Sequence, residues 1–389
     1  MLTAYELEHR SSFREWELAT RRSRGPARRQ ARAGFTLIEV LTVIAIIAIL
    51  AGLLVPTVNY ARKTIQQRAI ALETQGLADA VEKYRQKYND YPPDGSNSQV
   101  VINHLRKVFP QIAATEIALL TTDSFPGTSV PLVGATNSAP AGMMDPAEAL
   151  VFFLGGFSSD PIYPLSGVGG PFFITDSGGN QVTSATPAGS RGSVQYNTDR
   201  NEPLYEFKQE QLTLQITPIN NVQVTISSDE TDYGLGAAND CIPVYRPRGK
   251  QAPFVYFDSR TYSYPSNGAT YFNYYGSATA PFGIARPYRS DQVRTNVPAT
   301  DYERQYRYME DDSFQLLSAG LDDIFGGVPF TSGSGPRFYA YPSGNSIDFS
   351  SLPPTVGAFG SYQDGSGVAT QLDNVANFSE GTFGDNLPE

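Results

Sequence analysis

A single acidic residue, Glu39, interrupts an otherwise uncharged apolar run from Phe35 to Val55. At about 1.5 Å per residue, a helix over this run is about 30 Å long, which matches the hydrocarbon thickness of a bilayer. A carboxylate inside a membrane costs about 2.5–3.5 kcal/mol, and such residues usually have a specific functional partner. The sequence therefore predicts a membrane helix in which Glu39 pairs with a cation.

The charges on either side of the apolar run predict its orientation. Of the 29 basic and 39 acidic residues, eight Arg and four Glu lie in residues 1–34, which leaves 21 basic and 35 acidic residues in the rest of the chain. An Arg-rich flank stays on the cytoplasmic side of a membrane, so the acidic body is expected on the far side. The body has no basic stripe, which argues against nucleic-acid binding.

Few residues outside this segment could perform enzyme chemistry. One cysteine, Cys241, excludes an intrachain disulfide framework, and His9 and His104 leave little material for metal or acid–base chemistry. The sequence contains no G-x-S-x-G elbow, phosphate-binding loop or dinucleotide fingerprint. We therefore predict that the protein is not an enzyme and requires no cofactor.

The amino-terminal segment allows three simpler interpretations. A secretory signal has an apolar core of 7–15 residues and a small-residue cleavage site, whereas this run is longer and no A-x-A-like site follows it. The pair Arg21-Arg22 suggests twin-arginine export but lies well upstream of the apolar run. A plain membrane anchor fits the length and the charge but does not explain Glu39.

The heptapeptide GFTLIEV, residues 34–40, resembles the cleavage and methylation motif of type IV prepilins and type II secretion pseudopilins. In that family a prepilin peptidase cuts after the glycine and methylates the new amino terminus. The resemblance implies removal of residues 1–34 as a basic leader and N-methylation of Phe35 after the cut at Gly34. It also implies that Glu39 pairs with the terminal amine of a neighbouring subunit, and pilins often have a proline where Pro56 lies.

The resemblance also implies partners and a location. The partners would be the prepilin peptidase/methyltransferase, other copies of the chain and minor pseudopilins, the inner-membrane assembly platform with its ATPase, and membrane lipid. The protein would cross the inner membrane once, with its amino terminus cytoplasmic before processing and its globular domain periplasmic or extracellular.

The apolar run is expected to continue as an amphipathic helix. Apolar residues recur at spacings of seven, four, three and four, typical of one helix face, at Ile70, Leu77, Val81, Tyr84 and Tyr88. The string YPPDG, residues 91–95, then ends the helix. Residues 35–55 thus form a transmembrane and fibre-core helix, residues 56–90 its amphipathic second half, and residues 91–389 a globular domain with loop-rich insertions.

The sequence pattern of the body and the resemblance together predict an α+β fold. In this fold the long amino-terminal helix packs on an antiparallel β-sheet domain, as in type IV pilins. Residues 158–200 show little pattern and are expected to be irregular. Aromatic residues 262–275 could form a carbohydrate-stacking platform, although rings packed on the sheet are the favoured alternative. Short helices are predicted at 100–109, 115–120 and 144–157, the last from an Asp145 cap, and strands at 204–207, 212–217, 222–227, 244–246 and 254–258.

The carboxy-terminal part contains a candidate metal site. An apolar strand from Ser313 runs into a Gly/Asp turn at residues 320–326, similar to the calcium loop of the major pseudopilin of type II secretion. The resemblance implies calcium held by three aspartates, Asp322, Asp323 and Asp373, with the Leu321 carbonyl and Asn374 as further candidates. The alternative is that these aspartates are solvated turn residues, because a long insertion, residues 327–370, separates the two halves.

The sequence favours a pseudopilin of a type II secretion system, which is processed and then assembled through its amino-terminal helix. A type IV pilus subunit or adhesin is the first alternative, because the body is large for a major pseudopilin. A membrane-tethered binding protein is the second, with the apolar helix as an anchor only.

Overall fold

The computed structural model divides the chain into two units, one ending at Asn59 and the other beginning at Tyr60. Of the predicted leader, residues 1–34, all but Gly34 lie outside the described residues, as do parts of the insertion at residues 327–370. The described residues are 34–127, 130–134, 143–219, 222–229, 240–266, 269–276, 281–298, 300–326, 337–358, 360–363, 369 and 371–388.

The predicted long helix is present as α1, Leu37–Tyr88, a single helix of 52 residues. It continues through Pro56 and ends where Asn89 takes a left-handed conformation, φ 52°. Asparagine is one of the few residues that adopts this conformation at a helix end at low cost. The helix therefore ends just before the string YPPDG, as the sequence predicts.

In the second unit, one face of α1 packs into the core. Ile70, Leu77, Val81 and Tyr84 are buried and Tyr88 is half-buried, which confirms the predicted apolar face. Glu73, which is not part of the predicted apolar face, also contacts the body. Its Oε1 accepts hydrogen bonds from the Tyr245 hydroxyl at 2.7 Å and from Gln211 Nε2 at 2.9 Å. These donors come from distant parts of the chain, so the helix period alone could not reveal them.

Four shorter helices follow α1 among the described residues. The predictions at 100–109 and 115–120 are confirmed, whereas the third predicted helix begins later than expected. Asp145 Oδ1 accepts from the backbone N–H groups of Ala147 and Glu148, so Asp145 caps the helix from outside it. The helices are α2, Ser98–Val108; α3, Ala114–Thr121; α4, Glu148–Leu154; and α5, Tyr302–Gln305.

The described residues contain sixteen short strands. They are β1, Phe172–Asp176; β2, Gln181–Val182; β3, Arg191–Tyr196; β4, Leu214–Ile219; β5, Val222–Ser227; β6, Val255–Asp258; β7, Ser263–Ser266; β8, Ala269–Phe272; β9, Tyr275–Gly276; β10, Ile284–Ala285; β11, Arg289–Ser290; β12, Phe314–Ser318; β13, Arg337–Tyr341; β14, Ser346–Asp348; β15, Thr355–Val356; and β16, Val375–Ala376. These strands form six small sheets, in the orders β2-β1-β3, β4-β5, β16-β12-β6, β7-β8, β10-β9 and β11-β13-β14-β15. All pairs are antiparallel except β11 with β13.

Three sequence predictions for the body were wrong. Residues 158–200 are not irregular, because β1, β2 and β3 form an antiparallel sheet there. Residues 204–207 form no strand, because the N–H groups of Leu204 and Tyr205 donate to the Leu154 carbonyl at the end of α4. Residues 244–246 make only an isolated bridge, between Tyr245 and Leu212. Elsewhere the strand predictions for 212–217, 222–227 and 254–258 agree with β4, β5 and β6.

The core of the body lies around the sheet β16-β12-β6. Every residue of β6 and β12 is buried, so this sheet is covered on both faces. The aromatic run at 262–275 contributes to the same interior, since Tyr262 and Tyr275 are 2% and 1% exposed. These two rings therefore pack inside the protein and do not form a surface platform. The arrangement as a whole is the α+β fold that the sequence predicts.

Candidate functional site

Helix α1 begins with reciprocal hydrogen bonds between Thr36 and Glu39. The backbone N–H and the hydroxyl of Thr36 both donate to Glu39 Oε2 at 2.8 Å, and the Glu39 N–H donates to Thr36 Oγ1 at 3.3 Å. This is a capping box, which satisfies orphan donors at a helix start. Sequence reasoning singled out Glu39 but missed Thr36, although the T-x-x-E spacing is the signature of such a box.

The capping box orients Glu39 without neutralising it. Both donors from Thr36 are uncharged, so they supply no positive charge to the carboxyl group at the start of the apolar helix. Phe35 directly precedes Thr36, so an amine created on Phe35 would lie next to the residue that holds the carboxylate. Gly34 is exposed, and a Cβ added to it would have no neighbour within 4 Å, so the Gly34–Phe35 peptide bond is sterically accessible.

The first unit exposes its apolar side chains. Leu37 is 83% exposed and Leu50 is 52% exposed, and the other large apolar residues up to Val55 behave similarly. Among the described residues, α1 is long and apolar enough to cross a membrane. The hydroxyls of Thr42 and Thr57 donate to carbonyls within the helix, of Glu39 and Leu53. Both hydroxyl groups therefore have an acceptor within the helix and need none from apolar surroundings.

Pro56 lies inside α1 rather than at its end. A proline has no N–H, so the carbonyl four residues before it, that of Gly52, loses its helical donor. The helix nevertheless continues on both sides, as the sequence predicts. The contribution of Pro56 to assembly stays a prediction.

Of the three predicted metal ligands, the structure brings Asp322 and Asp373 together. Asp373 Oδ2 accepts from the backbone N–H groups of Leu321 at 2.6 Å and of Asp322 at 2.9 Å. Gly320 is required for this approach, because it has φ +72° and a Cβ on it would lie 2.1 Å from the Asp373 carbonyl oxygen. Partial desolvation and the negative charge of Asp373 raise the pKa of Asp322 to about 6.

The third predicted ligand, Asp323, lies on another side of the turn. Its Oδ1 accepts from the backbone N–H groups of Gln251 at 2.9 Å and Ala252 at 3.2 Å. The Leu321 carbonyl, a further candidate ligand, accepts from Lys250 Nζ at 2.5 Å. Asn374 directs its amide nitrogen to Tyr288 and Phe325.

These oxygens do not form one convergent calcium ligand set. Calcium takes 6–8 oxygen ligands at about 2.3–2.6 Å. Within the described part of the chain, only one group of three acidic, histidine or cysteine residues has its ligand atoms within 4.8 Å of one another, and it is Asp145, Glu148 and Asp229. The donor set at the turn therefore fits a calcium ion poorly, and calcium binding there stays a prediction.

The group around Asp145 is a buried acidic cluster that sequence reasoning missed. It consists of Asp145, Glu148, Asp229 and Asp240, each at most 5% exposed. Burial raises the pKa of Asp145 and of Asp240 well above the ordinary carboxyl range, and the charge of Asp229 adds to the effect on Asp240. The members are up to 95 positions apart, between Asp145 and Asp240, so no local motif could indicate the cluster.

His104, the histidine of the body, is buried against helix α1. His104 is 2% exposed, and its Nε2 lies 2.8 Å from the Tyr84 hydroxyl on α1. Burial lowers the pKa of His104 to about 4, so the ring is neutral at physiological pH. His104 therefore joins α2 to α1 and does not face a cleft as a general base would.

Comparisons with known proteins bear on the amino-terminal region. Residues 29–55 match the prokaryotic N-terminal methylation motif. This match includes Gly34, Phe35 and Glu39 and the whole apolar run from Phe35 to Val55.

Two curated proteins extend the similarity beyond the motif. Over 75 residues the chain is 32% identical to the type II secretion system core protein G of Klebsiella michiganensis and 31% identical to that of Aeromonas hydrophila. The aligned part is 19% of this chain and 53% and 52% of those proteins, so the chain spans about half the length of the curated relatives it matches. Both are named as a component of a secretion system and not as an enzyme. No solved structure matches the chain.

The motif, the apolar helix and the two relatives agree with one another. The amino-terminal region of this chain carries the prokaryotic N-terminal methylation motif and is similar to the type II secretion system core proteins G.

Proposed function

We propose that this chain is a structural subunit of a pilin-like fibre, namely a pseudopilin of a type II protein secretion system, and not an enzyme. The observation that carries the proposal is the start of α1. There an exposed apolar helix presents one carboxylate, Glu39, beside the residue that processing would make the new terminus. The relatives named as secretion-system core proteins support the same function.

Processing by a prepilin peptidase would create the partner that Glu39 lacks. Cleavage between Gly34 and Phe35 leaves a positively charged amine on Phe35, one residue before Thr36. An isolated carboxylate in an apolar medium is costly, whereas a carboxylate paired with an amine is much less so. Pairing of Glu39 with the Phe35 amine of a neighbouring subunit would therefore favour assembly and fix the axial register of the subunits.

The exposed side chains of the first unit are apolar, so the helix would need an apolar environment around it. As a monomer the helix would rest in the inner membrane, with lipid around residues 35–55, and in the fibre it would pack among other copies and minor pseudopilins. The Arg-rich leader would keep the amino terminus cytoplasmic and the body periplasmic or extracellular. An assembly platform with its ATPase would extract the subunits from the membrane.

The proposal requires no cofactor. Calcium binding at Asp322, Asp323 and Asp373 stays a prediction and takes no part in the pairing of Glu39. It can be tested separately from assembly, by the effect of a chelator on thermal unfolding.

The test of the proposed function compares Glu39→Ala with the wild type in cells that have the processing machinery. Mass spectrometry of the mature amino terminus and the yield of sheared fibres are the two measurements. We expect both chains to begin at N-methylated Phe35, and the fibre yield of Glu39→Ala to fall at least about tenfold, the effect of about 1.4 kcal/mol per contact. Glu206→Ala, at an exposed glutamate of the body, is the matched control.

Two results would overturn the proposal. One is a wild-type chain that still begins at Met1 in those cells, which would leave only a tethered domain. The other is a normal fibre yield from Glu39→Ala, which would show that the carboxylate has no part in assembly.

A further inference from the structure

The turn at residues 320–323 packs against a short segment from another part of the chain, Lys250 to Ala252. The N–H groups of Gln251 and Ala252 both donate to Asp323 Oδ1, at 2.9 and 3.2 Å. These two bonds fix the backbone next to Lys250 on the turn. The position of the lysine is therefore set by the fold and not only by its flexible side chain.

The side chain of Lys250 reaches a specific oxygen on this turn. Its Nζ donates to the Leu321 carbonyl oxygen at 2.5 Å, and the lysine is half-buried. Hydrogen bonds from an ammonium group are shorter and stronger than those between neutral groups. A cation is thus held against a backbone carbonyl, in a part of the surface where three aspartates provide the negative charge.

The two sides of the turn have complementary partners. The Leu321 and Asp322 N–H groups face the carboxylate of Asp373, and the Leu321 carbonyl faces the ammonium of Lys250. The positive charge of Lys250 also acts on the carboxyl group of Asp322 and opposes the raised pKa there. The turn therefore already has an anion at its N–H groups and a cation at its carbonyl.

We propose that the ammonium group of Lys250 takes the place of a bound calcium ion at this turn, so that the turn closes without metal. A calcium ion on the Leu321 carbonyl would bind the same oxygen that accepts the hydrogen bond from Lys250 Nζ. A dication and an ammonium at one oxygen would repel each other strongly. Occupancy by Lys250 and occupancy by calcium are therefore mutually exclusive.

The experiment uses the full-length chain in detergent micelles and follows thermal unfolding by the near-ultraviolet circular dichroism of its tyrosines. The variants are Lys250→Met, Lys250→Arg, and Lys83→Met as a matched control at an exposed lysine of α1. Each chain is melted in EGTA, in calcium chloride and in magnesium chloride. This measurement does not involve assembly, so its result is independent of the proposed fibre function.

We expect the Tm of the wild type to be the same in EGTA and in calcium. In EGTA, Lys250→Met should melt at least about 2 °C lower than the wild type, because the Leu321 carbonyl loses its cation. Lys250→Arg and Lys83→Met should melt as the wild type does. The proposal is overturned if the wild type loses Tm in EGTA and regains it with calcium, or if Lys250→Met melts like the wild type in EGTA. Should Lys250→Met not fold, stoichiometric calcium binding to the wild type by calorimetry would still refute the proposal.

Discussion

The region up to Asn59 and the region from Tyr60 use the same residue types in opposite ways. Leu50 and Leu77 lie on the same helix, yet Leu50 is 52% exposed and Leu77 is fully buried. Helix propensity does not distinguish them, because both are leucines in a helix interior. The difference lies in what covers them: the body covers Leu77, whereas nothing in the described chain covers Leu50. The first region therefore exposes an apolar surface that lipid or another copy would cover under the proposed function.

The acidic residues show the same contrast. A helix-starting box with a glutamate at the fourth position occurs in both regions, as Thr36–Glu39 and as Asp145–Glu148. In the body, the box is buried and belongs to a cluster of four carboxyl groups. In the first region, it is exposed and its glutamate has only neutral donors from Thr36. The body thus stabilises its acids internally, and the amino-terminal helix leaves one available.

The largest expected effect tests the contrast between the two leucines. Leu77→Ala should lower the free energy of unfolding of the body by about 2–5 kcal/mol, because it leaves a cavity in the core. Leu50→Ala, the same change on the same helix, should leave this free energy unchanged. Urea titration of both full-length variants in detergent, followed by tyrosine circular dichroism, measures the difference. Equal losses in the two variants would show that the first region also stabilises the body.

The sequence predicts the helix that the structure shows in the first region, and it predicts the second region only in part. The apolar run, Glu39 and the helix period are local signals, so α1 and its buried face could be identified from spacing alone. The sheet β2-β1-β3 was missed, because its strands lie among Gly, Ser and Thr residues, which are typical of loops. The acidic cluster and the Lys250 contact join distant positions, and only the fold brings these together.

A second prediction concerns the buried box. Because the pKa of Asp145 is raised in the folded protein, the folded state holds a proton that the unfolded state has lost. Stability therefore falls as the pH rises from about 4, the ordinary carboxyl range, towards neutral pH. Asp145→Asn keeps an oxygen for the N–H groups of Ala147 and Glu148 and removes this titration. The pH dependence of its unfolding free energy should become shallower by up to about 1.4 kcal/mol per pH unit.

Urea titrations at about pH 5 and about pH 8 measure this change. Asp79→Asn, at an exposed aspartate of α1, is the matched control and should keep the wild-type pH dependence. An unchanged pH dependence in Asp145→Asn would mean that the cluster is already ionised in the folded protein, and that its charges are compensated by another group.

The smallest expected effect concerns the exposed box. Thr36→Val keeps the shape of the side chain and removes the hydroxyl that donates to Glu39, which should weaken the first turn of α1 by about 1 kcal/mol. Amide hydrogen exchange at residues 37–40 should become faster, whereas Thr42→Val, whose hydroxyl donates within the helix, should leave these amides unchanged. If Thr36 only orients the carboxylate, processing should be normal and the fibre yield should fall by less than in Glu39→Ala. A loss larger than that of Glu39→Ala would instead place the Thr36 hydroxyl in the subunit contact itself, because orientation alone cannot cost more than the charge pair it serves.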